Sequence, residues 1–490
     1  MSNAIYPLLL LIRLFFSLLP SYIHPDEHFQ GPEPIAGRVL GWHAHFTWEF
    51  TDSQPIRSAF PLLVVYGLPM KLADWLTGGS ITPDAMFRCL RIMFFLLSVG
   101  LEDWGFYKLL SSSRRKDWNL VLLASCYVTW TFQMHLFSNS IETLLVVWAL
   151  VFMEELRNPT GNTLWPSALL GFICAFGTFS RVTFPVYVIL PAYHLLPALK
   201  KRPATFMPLI LAGVFTATFC IYLDTQFYGA SRPILTPLNS ILYNTQSSNL
   251  AKHGLDPRWK HIGLNIHLLL GPAMIPLILS TSKAYLNSLP ILSSAGALVL
   301  LSILPHQEPR FLLPCVPLLL SAITIPRSKI WLAAWIIFNL AQAPIMGAYH
   351  QAGIAPATAY INQNTAATDI LYWRCYMAPN WLMGPKVRPL DIKDVRSPLE
   401  DLIEAIESSG LTCSSRPETK EVYIVAPLDA TQLNPLVNDP TKTWKLEKEW
   451  SNRLHIGLDY LDWAGDGVVG TIKKIINLRG MVVWKVNPRC

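Results

Sequence analysis

The chain has 490 residues, 52% of them hydrophobic and only 14% charged, with a mean hydropathy of +0.34 and a formal charge of +7. So few charges cannot coat a water-soluble globule of this size, which excludes an ordinary cytosolic enzyme. The charges are also uneven, because residues 1–350 hold 23 basic and 16 acidic side chains whereas residues 351–490 hold 16 of each. The pattern predicts an all-α, multi-pass membrane domain over 1–350 followed by a small water-exposed α/β domain over 351–490. The basic excess in the membrane part points to lipid topology and not to nucleic acid.

In chain order, the first apolar stretch, 5–23, lacks a small-residue cleavage site and runs directly into a charged motif. It is expected as an uncleaved first helix and not as a removed signal peptide. Further apolar segments lie at 86–110, 118–137, 140–156, 164–180, 184–199, 206–223, 264–282, 288–304, 310–326 and 330–347. About eleven crossings follow if 58–77, which carries two prolines, Lys71 and Asp74, lies in the interface. The alternative is that 58–77 spans and another segment does not. With the N-terminus cytosolic, the basic connections Arg114-Arg115-Lys116, Arg157, Lys200-Lys201-Arg202, Lys283 and Arg327 with Lys329 all fall in cytosolic loops. The polar clusters at 24–52, 138–142, 180–181, 224–261 and 306–310 then share the opposite face with the C-terminal domain. That agreement predicts a single site on the far side.

The motif His24-Pro25-Asp26-Glu27-His28 follows the first helix. Pro25 suits the start of a helix, and Asp26 and Glu27 then sit in a first turn that favours carboxylates. Adjacent carboxylates point about 100° apart on a helix, which suits one base and one supporting group better than a shared proton. The plain alternative is a capped interfacial helix. His24 and His28 are four apart, as metal ligands often are, but no third ligand follows at a recognisable spacing, and no metal is expected. Downstream, Trp48-Glu49-Phe50 and Pro55-Ile56-Arg57-Ser58 place aromatic and charged groups together. Glu142 and Arg181 stand at helix ends and either snorkel or act. In His306-Gln307-Glu308-Pro309-Arg310 three ionisable groups interrupt apolar helices, and the planar fork of Arg310 suits a phosphate. The stretch from Asp224 to 261 is rich in Asn, Gln, Ser and Tyr, groups that read polyhydroxylated ligands. Cys89, Cys126, Cys174, Cys220 and Cys315 lie in or beside apolar runs as core residues, whereas two of Cys375, Cys413 and Cys490 are free to pair if their domain meets an oxidising compartment.

Taken together, HPDEHFQ, PIRS, the NSxxE segment, SRVTFP and HQEPRFL resemble the dolichyl-phosphate-mannose-dependent α-mannosyltransferases of glycosyltransferase family 22. Two stretches, HPDEHFQGPEPIAGRVLGW and YNTQSSNLAKHGLDPRWKH, are most similar to the fungal branch that acts in glycosylphosphatidylinositol (GPI) assembly. The resemblance implies a GT-C glycosyltransferase fold in the endoplasmic reticulum membrane with a luminal site. Mannose would pass from dolichyl phosphate mannose to the third mannose of a GPI precursor glycolipid in α1,2 linkage. A β-linked donor and an α-linked product imply a single inverting displacement. Asp26 would be the general base with Glu27 in support, Arg310 and His306 would meet the phosphate, and His24, His28, Arg57, Glu142, Arg181 and Asp224 are further substrate-binding candidates. No cofactor or divalent cation is implied, and no role is assigned to the C-terminal domain. A sister enzyme of GPI or N-glycan assembly would share these residues. A polytopic transporter is the remote alternative, disfavoured because no internal repeat is visible.

Overall fold

The computed structural model describes residues 2–110, 116–159, 161–252, 254–279, 286–386, 389–395, 398–410 and 420–489. Arg114, Arg115, Lys283, Cys413 and Cys490 lie outside the described residues. The chain divides into two compact units. One is made of Met1–Ser17, Phe46–Pro69 and Leu90–Ala343, the other of Leu18–His45, Met70–Cys89 and Pro344–Cys490.

The first unit is helical. Its helix Phe206–Phe227 exposes Met207, Ile210, Leu211, Val214 and Phe215 and buries Thr216, Cys220 and Asp224. The buried three are spaced by four, so they form one inward stripe, and the exposed apolar surface has lipid as its solvent. Leu164–Ser180 crosses this helix at glycines, where a Cβ on Gly171 would lie 2.0 Å from the carbonyl oxygen of Leu209. Small residues at such crossings give membrane helices the close contact that burial from water cannot supply there. The buried arginines of this unit's first helices have partners. Arg13 in the helix Ser2–Ser17 donates to Asp103 and Ser98, and Arg91 donates to the carbonyls of Phe16 and Ser17, where helix-end oxygens lack intrahelical partners.

Among the described residues four helices are long and apolar enough to cross a membrane: Ala59–Leu76, Pro203–Phe227, His261–Leu279 and Lys329–Tyr349. A fifth is the pair Tyr127–Met134 and Ser138–Arg157, bent by 116°, if the two halves form one span. Ala4–Ser17, Leu164–Ser180 and Leu289–Ile303 are shorter apolar helices. The segment 58–77, expected in the interface, therefore has the length to cross. A π-helical turn at Leu63–Gly67 precedes Pro69, whose missing N–H opens the helical ladder. The stretch 118–137 is not one helix, because Lys116–Ala124 ends before Cys126 and the chain turns twice before Ser138. The stretch 310–326 holds only Cys315–Ala322 after a tight turn at Pro309–Leu312.

The second unit is built on a five-stranded sheet of order β2-β1-β3-β5-β4, with β1 Asp369–Trp373, β2 Asp391–Val395, β3 Val422–Pro427, β4 Trp444–Asn452 and β5 Met481–Pro488. β1 runs parallel to β2 and β3, and β5 runs antiparallel to β3 and β4. β1 and β3 are buried throughout, and apart from Asp369 at the start of β1 their sequences DILYW and VYIVAP are the apolar runs that such burial requires. The helix Leu399–Ser408 packs on the face of Leu371, Trp373, Val422 and Ile424. On the other face, the helix Ile354–Asn364 covers Ile370, Tyr372, Tyr423 and Val425. Tyr22, from the segment after the first helix, is buried in that same core, with its N–H on the His350 carbonyl at 3.1 Å. The sheet unit thus includes the chain's earliest polar segment and not only residues beyond 350.

Gly171→Ala should force its two helices apart and lower the melting temperature in detergent, consistent with an overpacking cost of about 1–3 kcal/mol. Gly213→Ala, whose Cβ would meet its nearest atom at an ordinary 3.4 Å, should melt like the parent protein.

Candidate active site

Within the sheet unit, Pro25 precedes a single helical turn, Asp26–Phe29, and the two acids occupy its start. Their environments differ. Glu27 is fully buried, and its Oε2 accepts the Ile23 N–H at 3.3 Å. The Asp26 side chain remains 24% exposed. Its Oδ2 accepts from Gln30 Nε2, its own N–H donates to His24 Nδ1 at 3.2 Å, and that nitrogen lies 3.7 Å from Oδ1. Asp26 is therefore the carboxyl of the pair that a ligand can reach, while Glu27 fastens the turn. His24 and His28 have different surroundings, His24 one-third exposed and His28 in the core. His28 is buried against Tyr22, Phe87 and Trp381, and its Nδ1 accepts the indole N–H of Trp381 at 3.1 Å. His28 thus supports the turn from within the core. Among the described residues no group of three or more His, Cys, Asp or Glu side chains is placed to hold a metal ion.

One residue that sequence reasoning missed is Glu33. Its carboxyl is fully buried and accepts three backbone N–H groups, from His45 at 2.7 Å and from Asn380 and Trp381 at 3.2 Å each. Burial raises its pKa from 4.5 to about 8, opposed by those three donors. The available signal was an acid between two prolines, Pro32-Glu33-Pro34, at the start of the helix Pro32–Val39.

In the helical unit the remaining candidates form two groups. In the first, Asp224 Oδ1 accepts from Ser58 Oγ at 2.9 Å, Ala59 N at 2.8 Å and Phe60 N at 3.4 Å, and Oδ2 accepts from Thr236 at 3.0 Å. The helix beginning at Ala59 has no side-chain cap of its own, so a distant carboxylate satisfies its first N–H groups. Both Nε and Nη2 of Arg57 donate to Glu49 Oε1, at 3.0 and 2.8 Å, while its carbonyl accepts from Tyr228. Asn239 donates to the Pro55 carbonyl. Thr236, Asn239 and Asn244 of the helix Thr236–Thr245 bond within the protein, and its exposed side chains are Leu238, Ile241, Leu242 and Thr245. Thr236 and Asn239 thus serve a buried carboxylate and a buried carbonyl that would otherwise lack donors. Trp48 stacks on Tyr243 with ring centres 4.4 Å apart.

The second group unites three motifs around Phe311. Arg181 lies 3.1 Å from Glu142 Oε2 and donates to Ser138 at 2.7 Å. Arg310 pairs with Glu308, whose other oxygen is 2.8 Å from His306 Nε2. The guanidinium carbons of Arg181 and Arg310 lie 5.8 and 5.4 Å from the Phe311 ring centre. The hydrogen bond to Glu308 raises the pKa of His306, against burial, so the pair retains its proton above the ordinary imidazole range.

The model of the Alg9-like mannosyltransferase family matches residues 4–383. The chain is 39% identical to the GPI mannosyltransferase 4 of Emericella nidulans, covering 99% of this chain and 98% of that protein. To the protein of the same name from Saccharomyces cerevisiae it is 33% identical, over 81% and 80%. Among solved structures it resembles ArnT from Cupriavidus metallidurans bound to undecaprenyl phosphate, with a TM-score of 0.58 at 10% identity over 99% of this chain and 97% of that one. That likeness shows the fold, GT-C.

Glu33 carries a pH prediction. A carboxyl whose folded pKa lies above its unfolded value stabilises fully below the unfolded value and loses that contribution as pH rises through the folded one. Thermal melts in detergent should therefore fall between pH 4.5 and about 8, and Glu33→Gln, which cannot ionise, should flatten that slope. Glu33→Ala should melt far lower at every pH, since each buried N–H left without an acceptor costs about 1–3 kcal/mol.

Proposed function

Because the chain belongs to the Alg9-like mannosyltransferase family, we propose that this multi-pass membrane protein transfers mannose from dolichyl phosphate mannose to the third mannose of a GPI precursor, in α1,2 linkage, on the luminal side of the endoplasmic reticulum. The observation that carries the chemical part is the unequal fate of the two acids. One is sealed and the other open, with His24 and Gln30 fixing its orientation. Asp26 takes the proton of the attacking acceptor hydroxyl as its oxygen bonds to the mannosyl anomeric carbon. The bond from that carbon to the phosphate oxygen breaks, with inversion, and dolichyl phosphate leaves as the anion.

The leaving phosphate needs positive charge that does not have to reorganise. We assign it to Arg181 and Arg310, which both lie against the Phe311 ring and are each held in place by a carboxylate. His306, paired with Glu308, adds a third polar side chain to this cluster. This reading places the charge on side chains and not on a bound cation. Arg57 and Asp224 secure the segment leading into the helix at Ala59.

Asp26→Asn preserves the shape of the turn and removes the base. Transfer measured with radiolabelled dolichyl phosphate mannose and defined GPI precursors should fall by a factor of about 10²–10⁴ or more with expression unchanged. Full activity in that variant removes Asp26 from this role. Arg310→Gln should raise the KM for the donor, and transfer should survive EDTA. The acceptor that gains mannose identifies the step: labelling only an N-glycan precursor, or a GPI intermediate with two mannoses, would assign the chain to a sister reaction.

A further inference from the structure

Two non-glycine residues among those described have positive φ, Gln351 at 49° and Arg374 at 53°. The left-handed region is unfavourable for a residue with a Cβ and persists only where surrounding structure enforces it. Both residues hold the same neighbourhood. Gln351, fully buried, accepts the Tyr376 N–H on its Oε1, and its own N–H donates to Ile456 O at 3.0 Å. Arg374 donates to Tyr460 O at 3.0 Å, and Tyr460 returns a bond from its hydroxyl to Cys375 O at 3.1 Å. Residues 374–376 and 456–460 are thereby locked together, with Tyr376 and Asp459 at the junction.

The Tyr376 hydroxyl donates to Asp459 Oδ2. His350 Nε2 lies 3.4 Å from that hydroxyl and 3.8 Å from the same carboxylate oxygen. The Tyr376 ring packs on His350, Tyr22 and His24, at centroid distances of 5.6, 5.5 and 6.4 Å. His24 in turn accepts the Asp26 N–H. A continuous series, Asp459–Tyr376–His24–Asp26, thus runs from the sheet domain to the open acid. Asp459 is 56% exposed yet held in one orientation, and its described contacts use Oδ2. Its Oδ1 is left to accept from a ligand.

We propose that Tyr376 and Asp459 form the subsite for the acceptor sugar, the carboxylate accepting from hydroxyls of the mannose residue that Asp26 deprotonates. A rigid acid beside a phenol and aromatic edges is suited to a neutral polyol, whose hydroxyls donate to the carboxylate and whose C–H faces pack on rings. The proposal rests on the mannose-transfer reading and gives the sheet domain a part in choosing the acceptor.

The test uses the full-length protein in detergent, dolichyl phosphate mannose, and a synthetic GPI glycan ending in the mannose to be extended. Asp459→Asn and Tyr376→Phe should each raise the acceptor KM about ten-fold or more while the donor KM and melting temperature hold within error and kcat within about three-fold, the signature of lost binding to one substrate. An unchanged acceptor KM, a parallel rise in both KM values or a lowered melting temperature would overturn the subsite. Failure of the parent protein to extend that glycan would instead refute the reading beneath it, which separates the two.

Discussion

One buried carboxyl gathers three backbone N–H groups from two distant segments of the sheet unit and so fixes the turn that carries the open acid. Glu33 binds His45 on one side and Asn380 and Trp381 on the other, so beside the antiparallel bridge Trp42–Pro385 an acid joins the two segments. Because the same tryptophan donates its indole N–H to His28, the clasp reaches the turn that presents Asp26. A short turn of four residues has little helical stability of its own, since nucleation is costly. Its geometry has to come from tertiary contacts, and Glu27, His28 and Tyr22 provide them from below while Asp26 stays open above.

The helical unit applies the same principle with opposite charges. Its arginines are held against carboxylates, Arg181 on Glu142 and Arg310 on Glu308, and Phe311 presents one ring to both guanidinium groups. Burying either cation alone would be costly, and pairing makes the arrangement stable without a ligand. Asp224 shows how far such an exchange can extend: a residue near the end of one membrane helix satisfies the first turn of another. In both units, ionised or polar groups that would be liabilities in an apolar setting serve as fasteners.

Composition and motif order made the membrane character, the GT-C fold and the family legible, because apolar length and ordered motifs are local properties. The separate fates of Asp26 and Glu27 were legible in part. Helical geometry parts adjacent side chains, but only the burial of Glu27, with its carboxylate on the Ile23 N–H, decides which is sealed. The inward bonds of Thr236 and Asn239 were not legible, because composition does not say which side of a segment faces out. Glu33 and Tyr376 stayed hidden for a different reason. Their partners, Trp381 for one and Asp459 for the other, lie 348 and 83 residues away, and no periodicity records such pairings. Helix breaks at 118–137 and 310–326 were blurred because apolar content continues through turns that prolines and polar side chains impose.

The span between Glu33 and Trp381 also sets a timetable. Translation proceeds at about 5–20 residues per second, so roughly 20–70 s separate the emergence of the acid-bearing loop from that of its anchor. Through that interval Tyr22, His28 and Glu33, all buried in the finished protein, have no sheet to enter. A nascent chain halted before the last quarter would keep its membrane helices yet carry an unseated turn, so shortened products should be marked for quality control by their beginning as much as by their missing end.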